Sequence, residues 1–130
     1  MCIRDRVAGV GEYRANVRIY SNGSVRLALS RTAGSAETVL VPAVELAGLT
    51  YSVGDRLLVR VQVTGTSPTT VQARVWKAGT PEPSTWLVSR TDTTPALQTP
   101  GSIGLNGYLS SSATNTPLTL LVDDLVARAP

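Results

Sequence analysis

The stretch ANVRIYSNGSVRLAL alternates apolar and polar residues on both sides of a glycine-bearing turn, and this constrains the chain more than any other feature. Successive side chains of a strand point to opposite faces, so the pairing register decides which residues share a face. If Asn22-Gly23 were a two-residue turn, Val25, Leu27 and Leu29 would oppose Tyr20, Arg18 and Asn16 and mix polar with apolar groups. A three-residue loop, Ser21-Asn22-Gly23, instead pairs Ile19 with Val25, Val17 with Leu27 and Ala15 with Leu29, giving one apolar face with Gly23 in the left-handed position. The same logic applies to LLVRVQVTGTSPTTVQARVWK, where a loop Thr66-Ser67-Pro68 pairs Val63 with Val71, Val61 with Ala73 and Val59 with Val75.

No helical stripe of useful length occurs from Val7 onward. Period-two alternation broken by Gly, Pro, Asn and Ser/Thr clusters predicts strands near 12–20, 24–31, 37–42, 56–65, 69–77, 86–92, 102–109 and 117–127. A brief helical turn around VPAVELAG is the one exception expected. Short strands at this spacing predict an all-β antiparallel sandwich or barrel, and 130 residues suffice for one core.

The two registers also set Arg18 opposite Arg26 and Arg60 opposite Arg74, with Gln62 opposite Gln72 and Leu58 opposite Trp76. Like charges directly opposite on a sheet destabilise it by a few tenths to about 1 kcal/mol. The arginines therefore splay into solvent, meet carboxylates from a neighbouring strand (Glu12, Asp92, Asp123 and Asp124 are the candidates) or hold an anionic ligand.

The chain has no His, which excludes a Ser-His-Asp triad, a Cys-His pair and His-based metal sites. Its single Cys excludes an internal disulfide and a thiolate zinc site. No apolar run reaches the ~20 residues of a membrane helix, so membrane insertion is not expected. The formal charge of +3 rests on eleven Arg and one Lys, spaced singly rather than in runs, and nucleic acid is not an expected partner.

The opening MCIRDR holds the only Cys and the only Met. It resembles the translation of the transposase end sequence used as an adaptor in tagmentation libraries, with Arg6 as one of the two residues the adaptor permits. On this reading 1–6 are an artefactual tail that packs poorly and leaves Cys2 without a partner, 7–127 are the domain and 128–130 begin a linker or the C-terminus.

From GDRLLVRV onward the order of segments has a recognisable grammar: a VRVQV strand, ARVW, EPSTW, a TD turn, PGSIGLNGYLS and a closing VDDLVA strand. This resembles the second half of a concanavalin A-like (laminin G-like) jelly-roll domain, and VGEYRANVRIYSNGSVRLAL is similar to its central hairpin. The resemblance covers about 7–127. It implies two curved antiparallel sheets, a jelly roll lacking its early strands upstream of Val7, and an exposed sheet edge that makes the chain marginally stable. It also implies an extracellular or virion-tail location beside other domains of the same polypeptide, as in secreted bacterial proteins with PKD repeats and in phage minor tail proteins.

Some jelly-roll relatives are family-16 glycosidases, whose chemistry needs an E-x-D-x-x-E strand. Glu12, Glu37, Glu45 and Glu82 are isolated, so no enzyme is expected. No cofactor is expected either, apart from a structural calcium with Asp123 or Asp124 as ligand; as neighbours on a strand, these two would point to opposite faces. The candidate ligand-binding set is Arg18, Arg26, Arg60, Gln62, Gln72, Arg74 and Trp76, which would take an acidic glycan or cell-surface polymer. The expected function is a non-catalytic accessory module for adhesion or carbohydrate recognition. The alternatives are a purely structural spacer and the remnant of a glycoside hydrolase.

Overall fold

The computed structural model describes residues 2–7 and 9–129, with side chains from residue 9 onward. The chain is an all-β, two-sheet antiparallel sandwich. Its strands are β1 (Cys2–Val7), β2 (Gly11–Ile19), β3 (Ser24–Ala33), β4 (Ala36–Thr50), β5 (Leu57–Thr64), β6 (Thr69–Lys77), β7 (Val88–Asp92) and β8 (Ser102–Asn106), with one 3-10 turn at Pro95–Leu97. One sheet has five strands in the order β4-β3-β2-β1-β8; the other has three, β5-β6-β7.

Both hairpin registers are those the alternation dictates. Ile19 faces Val25, Val17 faces Leu27 and Ala15 faces Leu29. Val63 faces Val71, Val61 faces Ala73 and Val59 faces Val75. The apolar sides of both hairpins meet in one core of Tyr13, Ala15, Val17, Val25, Leu27, Leu29, Val71, Ala73 and Val75, closed by Leu46, Val88 and Leu97. Turning the register by one residue would carry every one of the alternating core residues to the solvent face, so burial itself locks the pairing.

Three expectations are corrected. VPAVELAG is strand, not helix: β4 runs straight through it. Pro42 is tolerated because β4 is an edge strand, where a missing N–H removes no ladder bond. Against β3 the strand slips register repeatedly, with Leu27 facing Val44 but Leu29 facing Val41, so Pro42 and Ala43 bulge opposite Ala28. Second, no strand forms at 117–127, which runs as exposed irregular chain. Third, the backbone of Cys2–Arg6 does not lie loose. It pairs with β2 on one side (Cys2 facing Asn16) and with β8 on the other (Cys2 facing Asn106). Strand pairing uses main-chain N–H and C=O groups, so an extended segment can fill a slot whatever its side chains. The expectation that the Cys2 side chain has no partner falls outside the described residues.

The tip of the first hairpin is held by Gly23. Its φ is +81°, and an added Cβ would stand 2.8 Å from the Tyr51 carbonyl oxygen. The Tyr51 amide also donates to the Gly23 carbonyl at 2.8 Å, tying the end of β4 to the turn. Gly34 also has positive φ, +60°, but open space around it. Gly34→Ala is therefore expected to cost about 1–2 kcal/mol from the left-handed backbone alone, and Gly23→Ala clearly more because a backbone oxygen must also move. Urea unfolding of the two variants side by side checks the ordering.

Candidate functional site

Alternation that sends odd-numbered residues of β2, β3, β5 and β6 into the core sends the even-numbered ones outward, and the predicted ligand set lies there. The opposed pairs form as predicted: Arg18 faces Arg26, and Arg60 faces Arg74 with Gln62 against Gln72 and Leu58 against Trp76. The two groups sit on different sheets of the sandwich, however, and their outward faces point away from each other. Arg18 and Arg26 are brought together, as are Arg60, Gln62, Gln72, Arg74 and Trp76, but the two groups do not form one surface.

Carboxylates supply most of the counter-charge, though not those expected. Glu82, from the loop after β6, bridges both guanidinium groups of the second pair, at 3.1 Å from Arg60 and 2.5 Å from Arg74. Arg74 also donates to the Pro83 carbonyl at 2.7 Å and stacks on Trp86, its carbon 4.5 Å from the ring centre. Glu45 of β4 takes Arg26 at 2.9 Å, with Tyr20 beneath the same guanidinium at 4.7 Å. Glu82, Glu45 and Trp86 escaped the sequence reading because a loop residue and a bulged strand cannot be placed by register. Gln72 donates to Ser89 at 3.0 Å, completing a polar row across β6 and β7.

Arg18 has a different setting. It is exposed and makes no ion pair among the described residues. It stands at the rim of a cavity of about 340 Å³ created by the β4 bulge, where Pro42, Ala43 and Val39 rise beside Asn16, Ala28, Ser30 and Glu37. Asn16 and Ser30 are buried despite facing outward. Asn16 Nδ2 donates to Ser30 Oγ at 3.1 Å, and Ser30 donates to Glu37 Oε1 at 2.7 Å. Arg14 spans Glu37, at 3.6 Å, and Glu12. Amide, hydroxyl, carboxylate and guanidinium groups thus converge on one concave wall.

A second polar constellation crosses the core. Tyr13 of β2 donates to Asp92 Oδ2 of β7 at 2.8 Å. Arg31 of β3 reaches the other oxygen, Oδ1, at 3.1 Å. Gln98 Nε2 donates to the Tyr13 oxygen at 3.2 Å, and its Oε1 accepts from Thr69 Oγ1 at 2.8 Å and the Ser67 amide at 2.6 Å. Burial and the adjoining Asp92 push Tyr13 up to about 12. Burial alone would raise Asp92, but hydrogen bonds from Thr94 and Tyr13 and the charge of Arg31 outweigh it and hold the carboxylate low. A cavity of about 270 Å³ opens beside Gln98 and Thr69, whose polar atoms are already engaged in this cluster.

Asp123 and Asp124 do not point apart. Asp124 has φ +54°, the backbone is not a strand, and both carboxylates face Arg56, at 3.3 and 3.7 Å. The two carboxylates expected as calcium ligands are thus paired with Arg56, and no group of three acidic, Cys or His side chains clusters among the described residues.

No family model, no curated protein and no solved structure matches this chain.

The raised Tyr13 value fixes the sign of an alkaline effect. An unfolded tyrosine ionises near 10, so the stabilisation is complete below that pH and is lost as pH rises from 10 to about 12. The loss expected is on the order of 2–3 kcal/mol, and Tyr13→Phe should remove this phase. Urea unfolding at a series of pH values between 8 and about 12 measures it.

Proposed function

We propose that this chain is a non-catalytic β-sandwich module of an extracellular or virion-tail protein that recognises an acidic glycan. The order of segments resembling a concanavalin A-like domain supports that setting. The observation carrying the binding reading is the groove beside Arg18. Ligand sites are concave and present a few fixed polar groups. Here Asn16, Ser30 and Glu37 match sugar hydroxyls, while the unpaired Arg18 supplies a cation for a uronic acid. Arg14 between Glu12 and Glu37 suits a fixed polar wall better than a proton-exchanging acid pair. The face of Arg60, Arg74 and Trp76 is the poorer candidate, since Glu82 and Trp86 already consume its charge.

A ligand-free spacer is the second reading, favoured by that same internal neutralisation of Arg26, Arg60 and Arg74.

Affinity electrophoresis through gels containing polygalacturonate, with dextran as the neutral control, separates the readings. The wild type is expected to be retarded by polygalacturonate, Arg18→Ala to lose about tenfold in apparent affinity, and Arg74→Ala to behave as wild type. Absence of retardation in the wild type, or a loss confined to Arg74→Ala, would overturn the groove assignment.

A further inference from the structure

The segment after β8 carries the longest run of exposed apolar side chains among the described residues. Leu118, Leu120, Leu121, Val122, Leu125 and Val126 are 48–86% exposed, a run of apolar surface that solvent penalises. Opposite it lies an unfinished edge. β5 ends the three-stranded sheet, and its core-side residues Val59, Val61 and Val63 are only half-buried, whereas their partners on β6 are fully buried. The two features share one side of the sandwich: β7 packs on β3 and β4, β6 packs on β2 and β3, and β5 is therefore left toward β1 and β8. The chain leaves β8 and reaches β5 at Arg56, which Asp123 and Asp124 already hold.

We infer that residues 117–123 are a strap that closes onto β5 as a fourth, antiparallel strand of the small sheet, with the Arg56–Asp123 pair as its latch. The register follows from the latch. With Asp123 opposite Arg56, antiparallel pairing sets Val122 against Leu57, Leu120 against Val59 and Leu118 against Val61, all on the core side. It sets Leu121 against Leu58 and Thr119 against Arg60 on the outer side. Shifting the register by one, with Asp124 opposite Arg56, puts Leu120 against Arg60 and Thr119 against Val61, mixing polar and apolar faces. Running the segment parallel puts Asp124 and Arg128 against the core-side Leu57 and Val61. Only the first arrangement keeps every core-side position apolar. Pro117 then falls at the first residue of the new strand, where a missing N–H is tolerated. The strap covers the β5 edge, which would otherwise offer its free N–H and C=O groups to a second copy of the chain.

Amide hydrogen exchange on the whole chain tests this. In the wild type, amides of residues 118–122 and of β5 are expected to exchange about tenfold or more slowly than an exposed segment would. Arg56→Asp should abolish the protection, and combining it with Asp123→Arg should restore it. Leu120→Asp, which would bury a carboxylate in the closed state, should abolish it, while Thr119→Ser on the outer side should leave it intact. Unchanged protection in β2 and β3 shows that each variant is folded. Unprotected exchange of 118–122 in the wild type would overturn the proposal. So would protection indifferent to Leu120→Asp, or protection that rises with protein concentration alongside a dimer in sedimentation, which would place the strap on a second copy.

Discussion

The carboxylate of Asp92 is the point at which the two sheets are joined by polar bonds. It receives Tyr13 from β2 on one oxygen and Arg31 from β3 on the other, although it belongs to β7 in the opposite sheet. Apolar packing between sheets is non-directional and would tolerate sliding by part of a residue. A half-buried carboxylate that accepts a hydrogen bond from one strand of the facing sheet and pairs with a guanidinium from another does not, because any slide breaks both contacts where solvent replaces them only in part. Gln98 extends the junction by binding Tyr13 together with Thr69 and Ser67, so the loop after β5 and the 3-10 turn are held to the same point. The alignment of the sandwich, and with it the relation of the β5 edge to β8, depends on this cluster.

The outer faces follow a different rule. Opposed arginines look like a binding site when only the register is known. The fold answers three of the four internally, with Glu45 on Arg26 and Glu82 between Arg60 and Arg74. Arg18 is the exception, and it is the one beside the cavity that the β4 bulge opens. The site worth testing is therefore distinguished less by how many charges gather than by which charge has no counter-charge among the described residues.

Legibility from sequence divides along the same line. Side-chain alternation gave both hairpin registers residue by residue, because a wrong register would expose Val17, Leu27, Val71 and Val75 at once. It could not give the bulges of β4, where Pro42 and Ala43 break the alternation, and so missed the groove of Asn16, Ser30 and Glu37. It could not give Glu82 or Gln98, whose positions come from loops that no period describes. It assigned a strand to 117–127 because the residues have strand character, and Asp123 and Asp124 were then placed on opposite faces. The irregular backbone there, with the left-handed Asp124, turns both toward Arg56 instead.

The inter-sheet junction can be measured by a double-mutant cycle on unfolding free energy with Tyr13→Phe, Asp92→Asn and the double variant. If the hydroxyl and the carboxylate form one coupled unit, the two changes should be non-additive by about 1–3 kcal/mol. Additivity within about 0.5 kcal/mol would contradict the account, since it would mean that Tyr13 and Asp92 stabilise the sandwich independently.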